Sequence, residues 1–186
     1  MDEHIVLKQR WTSRKIAAVA LLGSLGGVSS AAIGWGGTVL ALTPLGPIAG
    51  QALAGLHIFW LVLVAVLVKS RGAATATGAL KGVVEMMLPN HLSVFVFFVS
   101  LLEGVVVDLA FLPLRRATHL TILLASGISS TSNLLVLQAF QLLPSGFSMT
   151  VYLAMYGASF VSGLALGGYL SMKSLSAVKH LIPNRT

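Results

Sequence analysis

The chain has 186 residues, 56% of them hydrophobic and 9% charged, with a mean hydropathy of +0.91. Too few charges remain to solvate the surface of a water-soluble domain of this size, so the outer surface is expected to face lipid. The absence of cysteine excludes disulfides, zinc-thiolate sites and cysteine nucleophiles, and the net charge of +7 takes its meaning from where the basic residues fall between apolar segments, not from nucleic acid.

Six apolar segments follow one another at residues 16–35, 47–68, 72–88, 92–112, 118–143 and 147–172. Each is near the ~20 residues that cross a hydrocarbon core. They are separated by short turn signals: Pro44, Gly46 and Pro47; residues 69–72; Pro89 and Asn90; residues 113–116; and residues 144–146. No segment alternates polar and apolar residues at period two, and lipid leaves no water to satisfy an open backbone, so the segments predict helices, not barrel strands. The fold class expected is an all-α integral membrane bundle of six transmembrane helices.

Orientation follows from the basic residues, which gather on the cytoplasmic side of short loops. The N-terminal tail carries Lys8, Arg10, Arg14 and Lys15, the second connection Lys69 and Arg71, the fourth Arg115 and Arg116, and the C-terminal tail Lys173, Lys179 and Arg185. Eleven of the twelve basic residues thus fall on one face, which predicts an even number of crossings with both termini inside. The domain plan is a cytosolic tail over 1–15, a six-helix membrane domain over 16–172 and a cytosolic tail over 173–186. The first segment is as long as a full span and is expected to be retained, not cleaved as a signal peptide. Asn184, in a formal glycosylation sequon, lies on the predicted cytosolic tail and carries no function there.

The twelfth basic residue, Lys81, sits in mid-span, as do the acids Glu85, Glu103 and Asp108. Such residues cost about 2.5 to 3.5 kcal/mol each at mid-bilayer, so they face a bundle interior or an aqueous cavity. Lys81 and Glu85 are four apart on one helical face. Glu103 and Asp108 fall about 140° apart on the next helix and cannot share one point. Two uses of these charges remain open: a ligand pocket, or a buried Lys81–Glu85 pair that only fixes helix packing. Asp108, near the cytoplasmic end, could equally sit at the interface or pair with Arg115.

With odd segments running outward and even ones inward, the outer half holds Trp35, Gln51, His57, Glu85, Asn133, Gln138, Tyr152 and Tyr156, with Trp60 and Glu103 near the middle. Carboxylates, an amide and aromatic rings together suit a small, flat, nitrogen-rich ligand: a carboxylate pairs with an amino-pyrimidine edge while rings stack on its face. Trp35 and Tyr152 also fit the role of interface anchors, and His57 that of a packing residue. The five histidines, His4, His57, His91, His119 and His180, are scattered along the chain and predict no metal cluster.

Small residues recur at every fourth position: Ala20 with Ser24 and Gly23 with Gly27 in the first segment, and Ser159, Gly163, Gly167 and Ser171 in the last. Such ridges permit close helix approach, either inside this bundle or against another membrane subunit. The sequence lacks a GxxxxGK[ST] loop, an HExxH helix and a GxSxG elbow, so neither ATP hydrolysis by that route nor an enzymatic activity is expected, and no cofactor is implied.

The motifs Leu45-Gly-Pro-Ile-Ala-Gly50, Gly55, Lys69-Ser-Arg-Gly-Ala-Ala74, Val84-Glu85 and Glu103-Gly104 with Asp108 resemble the S components of energy-coupling factor (ECF) transporters, most of all the YkoE type associated with hydroxymethylpyrimidine and thiamine. The resemblance implies an integral subunit that captures a vitamin from outside and docks on a transmembrane coupling subunit carrying two cytosolic ATPases. It places the family's acidic position of the third helix on Glu85 and its polar and acidic pair on Glu103 and Asp108. A docking motif of the first helix is approximated by Ala20 and Ser24. A metal-binding S component is disfavoured, because those subunits use a histidine directly after Met1, where this chain has Asp2.

The expected function is therefore that of a plasma-membrane S component for thiamine or its hydroxymethylpyrimidine precursor. Its expected contacts are Glu85, Glu103, His57, Trp60, Asn133, Tyr156, Lys81 and Asp108, and its docking face Ala20, Ser24, Gly23 and Gly27. The alternatives are an S component for another vitamin and a membrane scaffold protein without a small-molecule ligand.

Overall fold

A computed structural model describes residues 11–43, 46–89, 94–112, 118–143 and 146–181. Several residues used above lie outside them: His4, Lys8, Arg10, Pro44, Leu45, Asn90, His91, Arg115, Arg116, Asn184 and Arg185. Among the described residues all regular structure is helical. In chain order the elements are α1 (Ser13–Ala41), α2 (Gly46–Gln51), α3 (Ala54–Val68), α4 (Ala73–Met87), α5 (Phe95–Phe111), α6 (His119–Ala139), α7 (Met149–Ser162), a π-helical stretch (Gly163–Tyr169) and α8 (Leu170–Leu181).

Local chemistry sets the boundaries. Thr12, Thr118 and Ser148 sit in extended backbone, and their side chains accept the backbone N–H groups of Lys15, Thr121 and Val151, capping α1, α6 and α7. The α3–α4 turn is made by two left-handed residues, Lys69 at φ 51° and Gly72 at φ 78°; glycine adopts that region without a Cβ penalty.

Each of the six apolar segments contains a helix, but among the described residues four helices are long and apolar enough to cross a membrane: Ser13–Leu40, Gly46–Val68, His119–Ala139 and Met149–Ala177. The second is broken at Ala52 and Leu53 between α2 and α3. The last runs on as one rod through the π-helical stretch, past residue 172, where a tail was expected. The two remaining segments are short, at 15 residues for α4 and 17 for α5, or about 22 and 25 Å at 1.5 Å per residue. These two carry the mid-span charges.

Glycine governs the closest helix contacts. On α4, a Cβ at Gly82 would lie 2.9 Å from the Phe97 Cα, and one at Gly78 would collide with the Ser100 carbonyl; on α5, a Cβ at Gly104 would lie 2.5 Å from the Ala74 carbonyl oxygen. The α4 and α5 backbones therefore touch, as small residues permit where lipid provides no hydrophobic drive. The ridge on the last helix is likewise spent inside the bundle. Gly163 packs on Ser126 and Ser130, Gly167 faces the Gly55 carbonyl, Ser159 bonds Ser130, and Ser171 donates to the Phe59 carbonyl at 3.1 Å.

The packed core occupies one end of the bundle, where Ile58, Leu61, Val62, Ala65, Val66, Ala74, Val107, Phe111, Ile122 and Ala125 are buried, with Met172 and Leu175 of α8 against them. Lys15 reaches Ser70 of the α3–α4 turn at 2.7 Å at this same end. The other end is hollow.

Candidate functional site

A cavity of about 630 Å³ opens at that hollow end, walled by residues of all of α1 to α7. Its lining includes Trp35 and Thr38 at the end of α1, Gln51 of α2, His57 of α3, Lys81 and Glu85 of α4, Val96, Val99, Ser100 and Glu103 of α5, Asn133 of α6 and Met155 of α7. Most of the wall is apolar, with polar groups at a few places, the composition of a small-molecule site.

The polar groups converge on Lys81, whose side chain is 1% exposed. Its ammonium donates to Ser100 Oγ at 2.7 Å and to Glu85 Oε2 at 3.3 Å, and lies 3.8 Å from Glu103 Oε2. Glu85 Oε1 is in turn 4.0 Å from His57 Nδ1. This cluster is assembled by the glycine contacts described above, because only touching α4 and α5 backbones bring Ser100 and Glu103 beside Lys81 and Glu85. The hydroxyl of Ser129 on α6 donates to the Glu103 carbonyl at 2.8 Å and fixes the third helix there.

The cluster is not closed on itself. Both carboxylate oxygens of Glu103 are buried without a hydrogen-bond donor, as are Gln51 Oε1 and Asn133 Oδ1. A buried acceptor left without a donor costs about 1–3 kcal/mol, more when charged. Four such atoms, on α2, α5 and α6, belong to residues that line this cavity, where donors brought by a bound molecule can satisfy them. One ammonium against two carboxylates also leaves an excess of one negative charge when all three are ionised.

The residues expected in the site divide in two. Glu85, Glu103, His57, Asn133 and Lys81 line the cavity; Trp60, Tyr156 and Asp108 do not. Trp60 packs against α1, where a Cβ at Gly26 would lie 3.0 Å from the indole, and it meets Phe59 edge-on. Tyr156 donates to Gln138 Oε1 at 2.9 Å in a separate surface groove. Asp108 lies toward the packed end of α5, where it holds the first turn of α4 through the N–H groups of Ala74 and Thr75 and the Thr75 hydroxyl.

Sequence reasoning passed over Ser100, the shortest contact of Lys81. A signal existed: Val96, Val99, Ser100 and Glu103 are spaced i, i+3, i+4, i+7 and form one helical face. Trp35 does line the cavity and also ties α1 to the connection that follows α4, donating from Nε1 to the Pro89 carbonyl at 3.1 Å. Of the expected docking residues, Gly23 and Gly27 are buried against Leu80 and Val84 of α4, whereas Ala20 is exposed and Ser24 half-buried.

Apolar helices around a cavity with a buried cluster of charged side chains at its base define a multi-pass protein of the cell membrane, of the transport class. The chain belongs to the family described as ABC-type cobalt transport system, permease component, which matches residues 14–133. Its fold is that of a solved S component of an ECF transporter, with a TM-score of 0.84 over 92% of this chain and 87% of that one, at 22% sequence identity. A comparison with curated proteins gives no match.

Proposed function

We propose that this chain is the substrate-capturing S component of an ECF importer, and that the cavity above Lys81, Glu85 and Glu103 receives thiamine or its hydroxymethylpyrimidine precursor. The observation that carries the reading is the set of donor-less buried acceptors, led by Glu103, in a cavity of vitamin size. An amino-pyrimidine offers N–H donors to such acceptors, and the thiazolium of thiamine offers a positive charge to the carboxylates when both are ionised. His57 and Asn133 are further contacts in this reading, and Trp35 borders the mouth.

The bundle's polarity supports capture from outside. Basic residues Lys15, Lys69 and Arg71 and the helix α8 with Lys173 belong to the packed end, whereas the cavity opens at the opposite end. Under the positive-inside rule the packed end is cytosolic, which makes the cavity extracellular. Six crossings follow if α4 and α5 span a locally thinned bilayer, with both termini inside, a membrane domain over 16–172 and tails on either side. Energy would come from a transmembrane coupling subunit and two ATPases. Ala20 and Ser24, beside the exposed Leu21, Leu25 and Val28, offer α1 as the docking face; Gly23 and Gly27 serve packing against α4.

The family's description names cobalt, and a cobalt ion is the alternative cargo. Among the described residues no three His, Asp or Glu side chains are placed to hold a metal ion, and the centre of the polar cluster is taken by an ammonium. Both points favour an organic ligand. Equilibrium titration of the purified protein with thiamine and with hydroxymethylpyrimidine tests the reading: saturable one-to-one binding of either is expected, and binding of neither removes the vitamin assignment.

A further inference from the structure

We infer that Lys81 is the selectivity residue that excludes divalent metal ions from this cavity, its ammonium standing where the metal would sit. The inference rests on reading the cavity as the substrate site. Three oxygens from two helices, Ser100 Oγ at 2.7 Å, Glu85 Oε2 at 3.3 Å and Glu103 Oε2 at 3.8 Å, surround Lys81 Nζ, and His57 Nδ1 stands behind them, 4.0 Å from Glu85 Oε1. Carboxylate, hydroxyl and imidazole are donor types that divalent transition metals accept, although among the described residues no three His, Asp or Glu side chains stand close enough together to hold one as they are placed. What these donors enclose instead is a fixed unit positive charge.

Geometry and charge both make the exclusion firm. A metal ion binds oxygen at about 2.0–2.2 Å, whereas the two carboxylates stand off at ammonium distances, held apart by the group between them. Lys81 is 1% exposed, and its ammonium is held in that position by Ser100 Oγ and Glu85 Oε2. A second cation placed among the same oxygens would face it at close range in a low-dielectric interior, where like charges repel strongly. An organic molecule, neutral or with a single delocalised charge, need not place a concentrated charge inside the ring of oxygens; it meets Glu103 from the cavity and leaves Lys81 in place. Without the ammonium, two buried carboxylates would lack a counter-charge and would draw one in.

The test is titration of purified protein with cobalt(II) chloride, read by calorimetry and by the visible absorption of bound Co²⁺. The wild type is expected to show no Co²⁺ binding that Glu103→Gln abolishes, and Lys81→Arg, which keeps the charge, should behave alike. Lys81→Met is expected to bind one Co²⁺ at least about tenfold more tightly than the wild type, and the double variant with Glu103→Gln to lose it again. A folded Lys81→Met that gains no Co²⁺, or a wild type that binds it through Glu103, overturns the inference. Should Lys81→Met fail to fold, Lys81→Gln takes its place, and should that fail as well the wild-type titration decides alone. The two readings fail separately. A wild type that ignores thiamine while Lys81→Met gains Co²⁺ removes the vitamin and keeps the role of Lys81; a wild type that takes Co²⁺ through Glu103 removes that role and keeps an S component with metal cargo.

Discussion

Asp108 on α5 caps a helix it does not belong to: its Oδ2 accepts the N–H of Thr75 at 2.7 Å and the Thr75 hydroxyl at 2.6 Å, while Oδ1 takes the Ala74 N–H at 3.4 Å. The α4 N-cap position is Gly72, which has no side chain to do this. Asp108→Ala is expected to destabilise the protein by about 1–3 kcal/mol, as for the loss of a charged cap. Affinity for ligand in the folded fraction should be unchanged, because the cavity lies at the other end of α5. Thermal unfolding in detergent, paired with a binding titration, checks both halves.

Gly55 faces the backbone of Ser162 so closely that a Cβ would overlap the carbonyl, and Ser162 in turn accepts the Gly55 N–H at 2.9 Å and donates to the Ala52 carbonyl at 2.6 Å. Gly55→Ala forces α3 away from the last helix and is expected to cost about 3 kcal/mol or more. Gly37→Ala and Gly157→Ala, where a Cβ meets nothing within 4 Å, should be neutral or slightly stabilising. Melting temperatures of the three variants give the comparison.

The charged centre of the site was legible because Lys81, Glu85 and Glu103 stand out against apolar surroundings, and insertion energetics demand a partner or a cavity for each. Position along the bundle was legible too: the turn positions separate residues at the cavity end from those at the packed end. Azimuth was not. Tyr156 has the right depth, but its neighbour Met155 faces the cavity, and one residue of helix turns the side chain by about 100°. Trp60 lies one turn from His57, yet the space left by Gly26 on α1 takes its indole. The break between α2 and α3 was hidden because 46–68 reads as one apolar run, and Ser100 because a lone serine in a helix carries no cost that demands explanation.

Trp60 and Tyr156 therefore serve as controls for the site. Trp60→Phe and Tyr156→Phe are expected to change thiamine affinity by less than about twofold once the protein is folded, whereas Asn133→Ala should weaken it by about fivefold or more. Parallel titrations of the three variants separate cavity residues from those that merely share their depth.

Ser100 holds the ammonium of Lys81 in place. Ser100→Ala leaves Lys81 one acceptor short, which should draw it toward Glu103 and reduce the negative charge offered to the ligand. A loss of about three- to tenfold in thiamine affinity is expected, with Ser100→Thr retaining more than Ser100→Ala. An unchanged affinity in the alanine variant would mean that the lysine is positioned by the carboxylates alone.

Equilibrium binding of thiamine and hydroxymethylpyrimidine to Glu103→Gln, beside the wild type, tests the central claim most directly, since the substitution keeps the shape of the side chain and removes its carboxyl group. The site described above predicts affinity lower by about 10- to 100-fold, the worth of a hydrogen bond to a charged group, in a protein that still folds. Equal affinity in the folded variant and the wild type would contradict it, because the donor-less carboxylate would then have no part in holding the ligand.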